Sequence, residues 1–153
     1  MDVCVLASPV GRLMIAAENG AIIRLERTQA PLKPAPSPLL CQATEALSLY
    51  FAGRLRQFSL PLRPLGTPFQ QAVWRQLLQI PYGETRSYGE LARCLGKPGG
   101  ARAVGMANHH NPISILIPCH RVIGADGSLT GYGGGLEMKR YLLGLEGASF
   151  REK

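Results

Sequence analysis

Two proline-rich interruptions divide the chain and limit what can form on either side of them. "QAPLKPAPSP" (29–38) carries four prolines in ten residues, and "LPLRPLGTP" (60–68) carries three in nine. Proline donates no backbone hydrogen bond and fixes φ, so no helix interior or central strand runs through either stretch. The first reads as an irregular connection and the second as an interdomain linker. They leave an N-terminal domain over 1–62 and a C-terminal domain over 68–153.

Ahead of the first interruption lie three short apolar segments: 3–8, 12–17 and 21–26. Pro9-Val10-Gly11 and Asn19-Gly20 separate them, and Asn-Gly is a strong two-residue hairpin signal. A small antiparallel sheet is expected. Ser37 as N-cap with Pro38 at the first helical position starts a helix to about Ala52, which Gly53 ends.

Beyond the linker the pattern becomes helical. Thr67-Pro68-Phe69-Gln70 is a capping box opening a helix to about Gln79, with Val73, Trp74, Leu77 and Leu78 on its apolar face. Ser87-Tyr88-Gly89-Glu90 is a second box, starting a short helix to Leu95 that Gly96 closes. A third helix is expected over about 100–109. Short helix, glycine-containing turn and second helix make a helix-turn-helix pattern. The fold class is α/β (α+β): a small sheet-containing domain followed by a mainly helical one.

The third helix is thin. Ala101, Ala103, Gly105 and Ala107 trim it, while Arg102, Gly105, Met106 and His109 share one face. Such a helix suits either close packing within the protein or approach to a widened minor groove, which is about 6 Å wide in ordinary duplex DNA. The formal charge of +7 points to an acidic partner, and Arg86, Arg93, Lys97 and Arg102 face only Glu90 over 86–102.

No segment has the apolar length of a membrane helix, and the first residues lack a secretory pattern, so a cytoplasmic protein is expected. Cys4, Cys41, Cys94 and Cys119 form no CxxC pair, and no Cys/His group has zinc spacing, so no metal is expected. Cys94 reads as packed.

"ILIPCHRVIG" (115–124) sets a thiol, an imidazole and a guanidinium inside an apolar, strand-like run. Cys119 fits either a buried core thiol or a nucleophile favoured by a base or cation. In an extended segment Cys119 and His120 would point to opposite faces, so a bridging water is the simpler link between them. Glu146, ending the helix from Leu136, opposes the helix dipole. It is either a surface carboxylate or a partner for the imidazole.

Three blocks in order carry a resemblance: "IPYGETRSYGELA", "ARAVGMANHHNP" and "NPISILIPCHRVIGADGSLTGYGGGLEMKRYLLGLEG". From about Pro68 to Gly147 the chain resembles the O6-alkylguanine-DNA alkyltransferases, with their PCHRV motif at 118–122. The resemblance implies a methylated-DNA-[protein]-cysteine S-methyltransferase that acts once, as a monomer on double-stranded DNA, without a cofactor. Cys119 would take the alkyl group from O6 of guanine, His120 would take the thiol proton through a water, and Glu146 would orient His120. Asn111 would tie recognition helix to active-site segment. Arg102 would fill the stack left by the flipped nucleotide, with Ala101 and Gly105 beside it in the minor groove. Tyr88 would press on the 3′ phosphate and donate a proton toward guanine N3. Tyr132 would wall the base pocket, the Gly133 amide would reach O6, and the carbonyls of Cys119 and Val122 would read the exocyclic amine. Ser114 stands where some members place a pocket-lining proline. The competing readings are a cysteine hydrolase using Cys119, His120 and Glu146, a sensor that binds alkylguanine without repairing it, and a helix-turn-helix regulator.

Overall fold

Asn19 and Gly20 both take positive φ (50° and 77°), the geometry a two-residue hairpin turn requires. In the computed structural model, which describes residues 1–132 and 135–151, that turn joins β2 (Leu13–Glu18) to β3 (Ala21–Arg27). β1 (Asp2–Leu6) pairs antiparallel on the other side of β2, giving the order β1-β2-β3. Alternation buries Leu13 and Ile15 on one face, and a register shift between Ala16 and Ala17 brings both Leu25 and Ile22 of β3 to the same face. Helix α1 (Pro38–Phe51), capped by Ser37, meets the sheet with Leu40, Ala43, Leu47 and Tyr50.

The chain forms two compact units. The first holds 1–65 and also 112–116; the second holds 66–111 and 117–153. The return of 112–116 was not part of the expected division. It is a backbone effect: the Leu25 amide donates to the Pro112 carbonyl, and the Ser114 amide donates to the Leu25 carbonyl. The sheet edge thus gains a partner that local sequence does not announce.

In the second unit α2 (Pro68–Leu77) has its capping box at Thr67 and Gln70. It buries Trp74, whose indole N–H donates to the Ala107 carbonyl at 2.9 Å. α3 (Tyr88–Cys94) and α4 (Ala101–His109) form the helix-turn-helix, with Gly96 and Gly99 at positive φ in the turn. Cys94 is exposed, contrary to the packed position expected, because it falls on the outer side of its short helix. β4 (Arg86–Ser87) pairs in parallel with β5 (Val122–Ile123), setting Ser87, the cap of α3, beside Ile123. Helix α5 (Leu136–Glu146) ends where Gly147 turns left-handed at φ 72°.

The segment expected to be strand-like is not one. Leu116 donates to the Ser114 carbonyl across Ile115 at φ 71°, and Cys119 donates to the Ile117 carbonyl across Pro118. Both are three-residue γ-turns; the first, with a β-branched residue at positive φ, is the rare and strained kind. Cys119–Arg121 then make one 3-10 turn before β5 begins. Proline at 118 removes an amide that a strand would need, and the turns supply local bonds instead.

Candidate active site

The 3-10 turn puts Cys119, His120 and Arg121 in succession, all three buried. His120 and Glu146 have completely buried side chains, with Nε2 2.8 Å from Oε2. A carboxylate at that distance fixes the tautomer: Nε2 carries the proton and donates it, leaving a lone pair on Nδ1. Nδ1 is buried and has no hydrogen-bond partner among the described residues. Burial holds His120 below the ordinary histidine range, although Glu146 works in the other direction. The imidazole is therefore neutral at neutral pH and can accept a proton at Nδ1.

Glu146 is held from a second side. Arg121 donates from Nε to Oε1 at 2.8 Å and from Nη2 to Oε2 at 3.0 Å, and from Nη1 to the Ile80 carbonyl at 2.6 Å. The Gly83 amide adds a longer bond to Oε1 at 3.3 Å. A two-pronged guanidinium is the geometry that satisfies a buried carboxylate. It also explains a glutamate at a helix C-terminus, where the dipole alone disfavours it.

Burial pushes the Cys119 thiol up; hydrogen bonding with Asn111, the Lys139 ammonium and Tyr132 pulls it back in part. The resting sulfur is thus a protonated thiol in a setting that already contains what a thiolate needs. The Asn111 side chain also donates to the Ile117 carbonyl at 2.9 Å, and Asn108 on α4 donates to the Cys119 carbonyl at 3.3 Å. The two asparagines join the end of α4 to the cysteine turn.

Lys139 is fully buried on α5, donating from Nζ to the carbonyls of Val122 at 2.5 Å and Thr130 at 3.2 Å. Burial lowers it from 10.5 to about 8, a shift that Cys119 opposes once it is a thiolate. Each carbonyl has a second lone pair, so Cys119 and Val122 can still accept from a ligand.

A groove of about 810 Å³ opens along α4, lined by Tyr88, Ala101, Arg102, Gly105, Met106 and Thr130 among others. Arg102 is exposed there, and the Tyr88 hydroxyl lies 2.7 Å from Thr130 Oγ1. Desolvation raises Tyr88 above the ordinary tyrosine value, opposed by its bond to Thr130. Val122 and Tyr132 are buried in the same unit but do not line this groove. Ser114 lies in the segment that packs with the first unit, bonded to Leu25. Gly133 lies outside the described residues.

The sequence reading marked Arg121 without giving it a partner, placed Asn108 only on a helix face, and passed over Lys139 and Thr130. The signal for one was readable: Lys139, Leu142, Leu143 and Glu146 follow i, i+3, i+4, i+7, so two charges share an apolar stripe. A charge placed there implies a buried partner. For Thr130 no local signal existed.

No group of His, Cys, Asp and Glu that could hold a metal occurs among the described residues, and none of their helices is long and apolar enough to cross a membrane.

Known proteins match over nearly the whole chain. Residues 68–148 fit the 6-O-methylguanine DNA methyltransferase DNA-binding domain, and residues 4–64 fit the ribonuclease-like domain of the same proteins. The methylated-DNA–protein-cysteine methyltransferase of Mycobacterium tuberculosis is 52% identical over 145 residues, 91% of this chain and 88% of that protein. The one from Methanosarcina acetivorans is 43% identical over 97% of this chain and 99% of its own length. The crystal structure of Mycobacterium tuberculosis OGT in complex with DNA superposes with a TM-score of 0.86 at 51% identity, covering 94% of this chain and 92% of that one. With identity at this level running through both units, and the buried thiol, imidazole and carboxylate set on this fold, the chain belongs to the 6-O-methylguanine DNA methyltransferase family.

Proposed function

We propose that this protein repairs O6-alkylguanine in duplex DNA by moving the alkyl group irreversibly onto Cys119, once per molecule and without a cofactor. The observation that carries the reading is the buried His120–Glu146 pair, which leaves Nδ1 of a neutral imidazole as proton acceptor one residue from a protonated thiol.

The target atom lies inside a stacked duplex, so the base must be extruded, at a cost of a few kcal/mol. The exposed Arg102 on a helix slimmed by Ala101 and Gly105 suits the minor groove and offsets lost stacking, while the positive charge supplies sequence-independent backbone contact. The Cys119 proton passes to Nδ1 through one water, and Glu146, held by Arg121, compensates the imidazolium. Sγ then forms a bond to the alkyl carbon as the carbon–O6 bond breaks. The released electron pair enters the guanine ring, which takes a proton at N3 from Tyr88. The carbonyls of Cys119 and Val122 accept from the exocyclic amine, and Tyr132 walls the base. A thiol that must stay reduced suits the cytoplasm, where we place the reaction, with one protein molecule serving one lesion.

Intact mass and peptide mapping after mixing with a duplex carrying one O6-methylguanine test this. The expected result is one added methylene on the Cys119 peptide, saturating at one per protein and absent in Cys119→Ser. Tight lesion binding with no mass change would make the protein a sensor. Repeated turnover on an acyl substrate, with neither binding nor mass change, would make it a cysteine hydrolase.

A further inference from the structure

The proposed reaction asks Tyr88 to place one oxygen accurately, yet the elements around it fix only the backbone. Ser87 and Glu90 cap α3 reciprocally, and Ser87 is in register with Ile123, so the Tyr88 Cα is set. The phenol oxygen lies at the far end of the side chain. Its one hydrogen bond among the described residues is to Thr130 Oγ1, at 2.7 Å.

Thr130 is itself fixed. Its carbonyl accepts from Lys139 Nζ, which also holds the Val122 carbonyl, and its neighbour Leu129 is buried. A β-branched side chain has few χ1 choices, so a held backbone gives a held hydroxyl. Thr130 also lines the groove with Tyr88 and Arg102. A chain thus runs from the buried ammonium through Thr130 to the phenol at the groove.

We propose that Thr130 is a positioning residue for Tyr88: its hydroxyl donates to the phenol oxygen, turns the phenol proton toward the extruded base, and holds the phenolate oxygen formed when that proton leaves. This rests on the function proposed above. In the step, the Tyr88 O–H bond breaks and an N–H bond forms on guanine N3. The electron pair left on the phenol oxygen is the one that the Thr130 O–H binds, and Thr130 neither gains nor loses a proton. A hydrogen bond to a charged oxygen is stronger than one to a neutral one, so the bond tightens as proton transfer proceeds. The electrostatics agree: desolvation holds the proton on Tyr88, and the bond to Thr130 opposes it.

The test compares Thr130→Val, which removes the hydroxyl at nearly constant shape, with Thr130→Ser, which keeps it. Single-turnover alkyl transfer from O6-methylguanine duplex is measured against DNA concentration and pH. Loss of a hydrogen bond to a developing charge predicts a saturating rate roughly ten- to a hundredfold lower in Thr130→Val. The half-saturating DNA concentration should barely change, and Thr130→Ser should stay near wild type. The alkaline limb, where Tyr88 loses its proton, should move to higher pH in Thr130→Val, because the bond that lowers Tyr88 is gone. In a Tyr88→Phe background the same substitution should cost nothing further.

A wild-type rate and pH profile in Thr130→Val overturn the proposal. So does Thr130→Ser as slow as the valine variant, or an equal loss in the Tyr88→Phe background. Thr130→Ala replaces the valine variant if that one misfolds, with the same outcomes read. Absence of transfer by the wild type would instead sink the proposed function.

Discussion

His120 and Glu146 lie 26 residues apart in sequence and 2.8 Å apart in space, both side chains without solvent exposure. A neutral donor against a buried carboxylate would be a poor arrangement on its own, since an ionised group taken from water needs compensation. Arg121 supplies it, with two bonds to the same carboxylate. The pair is thus a triad in which the cation balances the charge and the histidine is left free to change its own.

Glu146→Ala should show this most directly. It strands a buried guanidinium and an imidazole N–H, so unfolding in urea should report a loss of about 3–5 kcal/mol. Glu146→Gln keeps the shape; it should fold better than the alanine variant yet transfer the alkyl group more slowly, because nothing then balances the imidazolium. Equal stability of Glu146→Ala and wild type would contradict the triad.

Arg121→Lys should fail although it keeps the charge. A lysine cannot reproduce the two-pronged contact with Glu146 together with the bond to Ile80. The expected loss of stability is of order 2–3 kcal/mol by denaturant titration, with slowed transfer to Cys119 at saturating DNA. A lysine variant indistinguishable from wild type in both would refute this.

His120→Ala removes the proton acceptor and should slow alkyl transfer by about 10²–10⁴-fold at neutral pH. The loss should shrink as pH rises, since solution hydroxide can then take the thiol proton. A loss independent of pH would place the histidine in packing alone.

Lys139 gives stability a pH dependence of known sign. Its folded value of about 8 lies below the unfolded 10.5. Between the two the unfolded chain binds the extra proton, so this group makes stability rise with pH across that window, by about 3 kcal/mol in total. Tyr88 and Cys119 are shifted upward and act oppositely there. The difference between wild type and Lys139→Met isolates the lysine: it should favour the wild type increasingly from pH 8 to about 10.5. A flat difference would show that the lysine is not charged and buried as described.

Two glycines should respond in opposite ways to alanine. At Gly66 a Cβ would stand 2.4 Å from Trp74 Cη2, an overlap that a buried indole cannot relieve, and about 1–3 kcal/mol should be lost. At Gly105 a Cβ would meet Tyr88 at 3.7 Å, an ordinary contact. Gly105→Ala should therefore stabilise the helix by up to about 1 kcal/mol while weakening duplex binding, because the added methyl narrows the groove. Thermal unfolding and a DNA titration separate the two effects.

Much of this fold was legible because its signals are local. The capping boxes at Thr67 and Ser87, the Asn19-Gly20 turn and the glycine stops act within three or four residues, and the structure places helices and hairpin at them. "PCHRV" announced unusual chemistry for the same reason: thiol, imidazole and guanidinium cannot share an apolar run without cause.

What the sequence by itself determined was most of the helices and the hairpin, and the run in which thiol, imidazole and guanidinium stand together. Only the tertiary structure decided how those groups are held. The γ-turns and the 3-10 turn replace the expected strand, since Pro118 has no amide to give a ladder and the Leu116 and Cys119 amides bond locally. Arg121 meets Glu146 across 25 residues, Lys139 meets Val122 across 17, and Tyr88 meets Thr130 across 42. A charge or hydroxyl in a sequence carries no mark of its distant partner. That partner is set when burial removes water and leaves each polar group one remaining way to be satisfied.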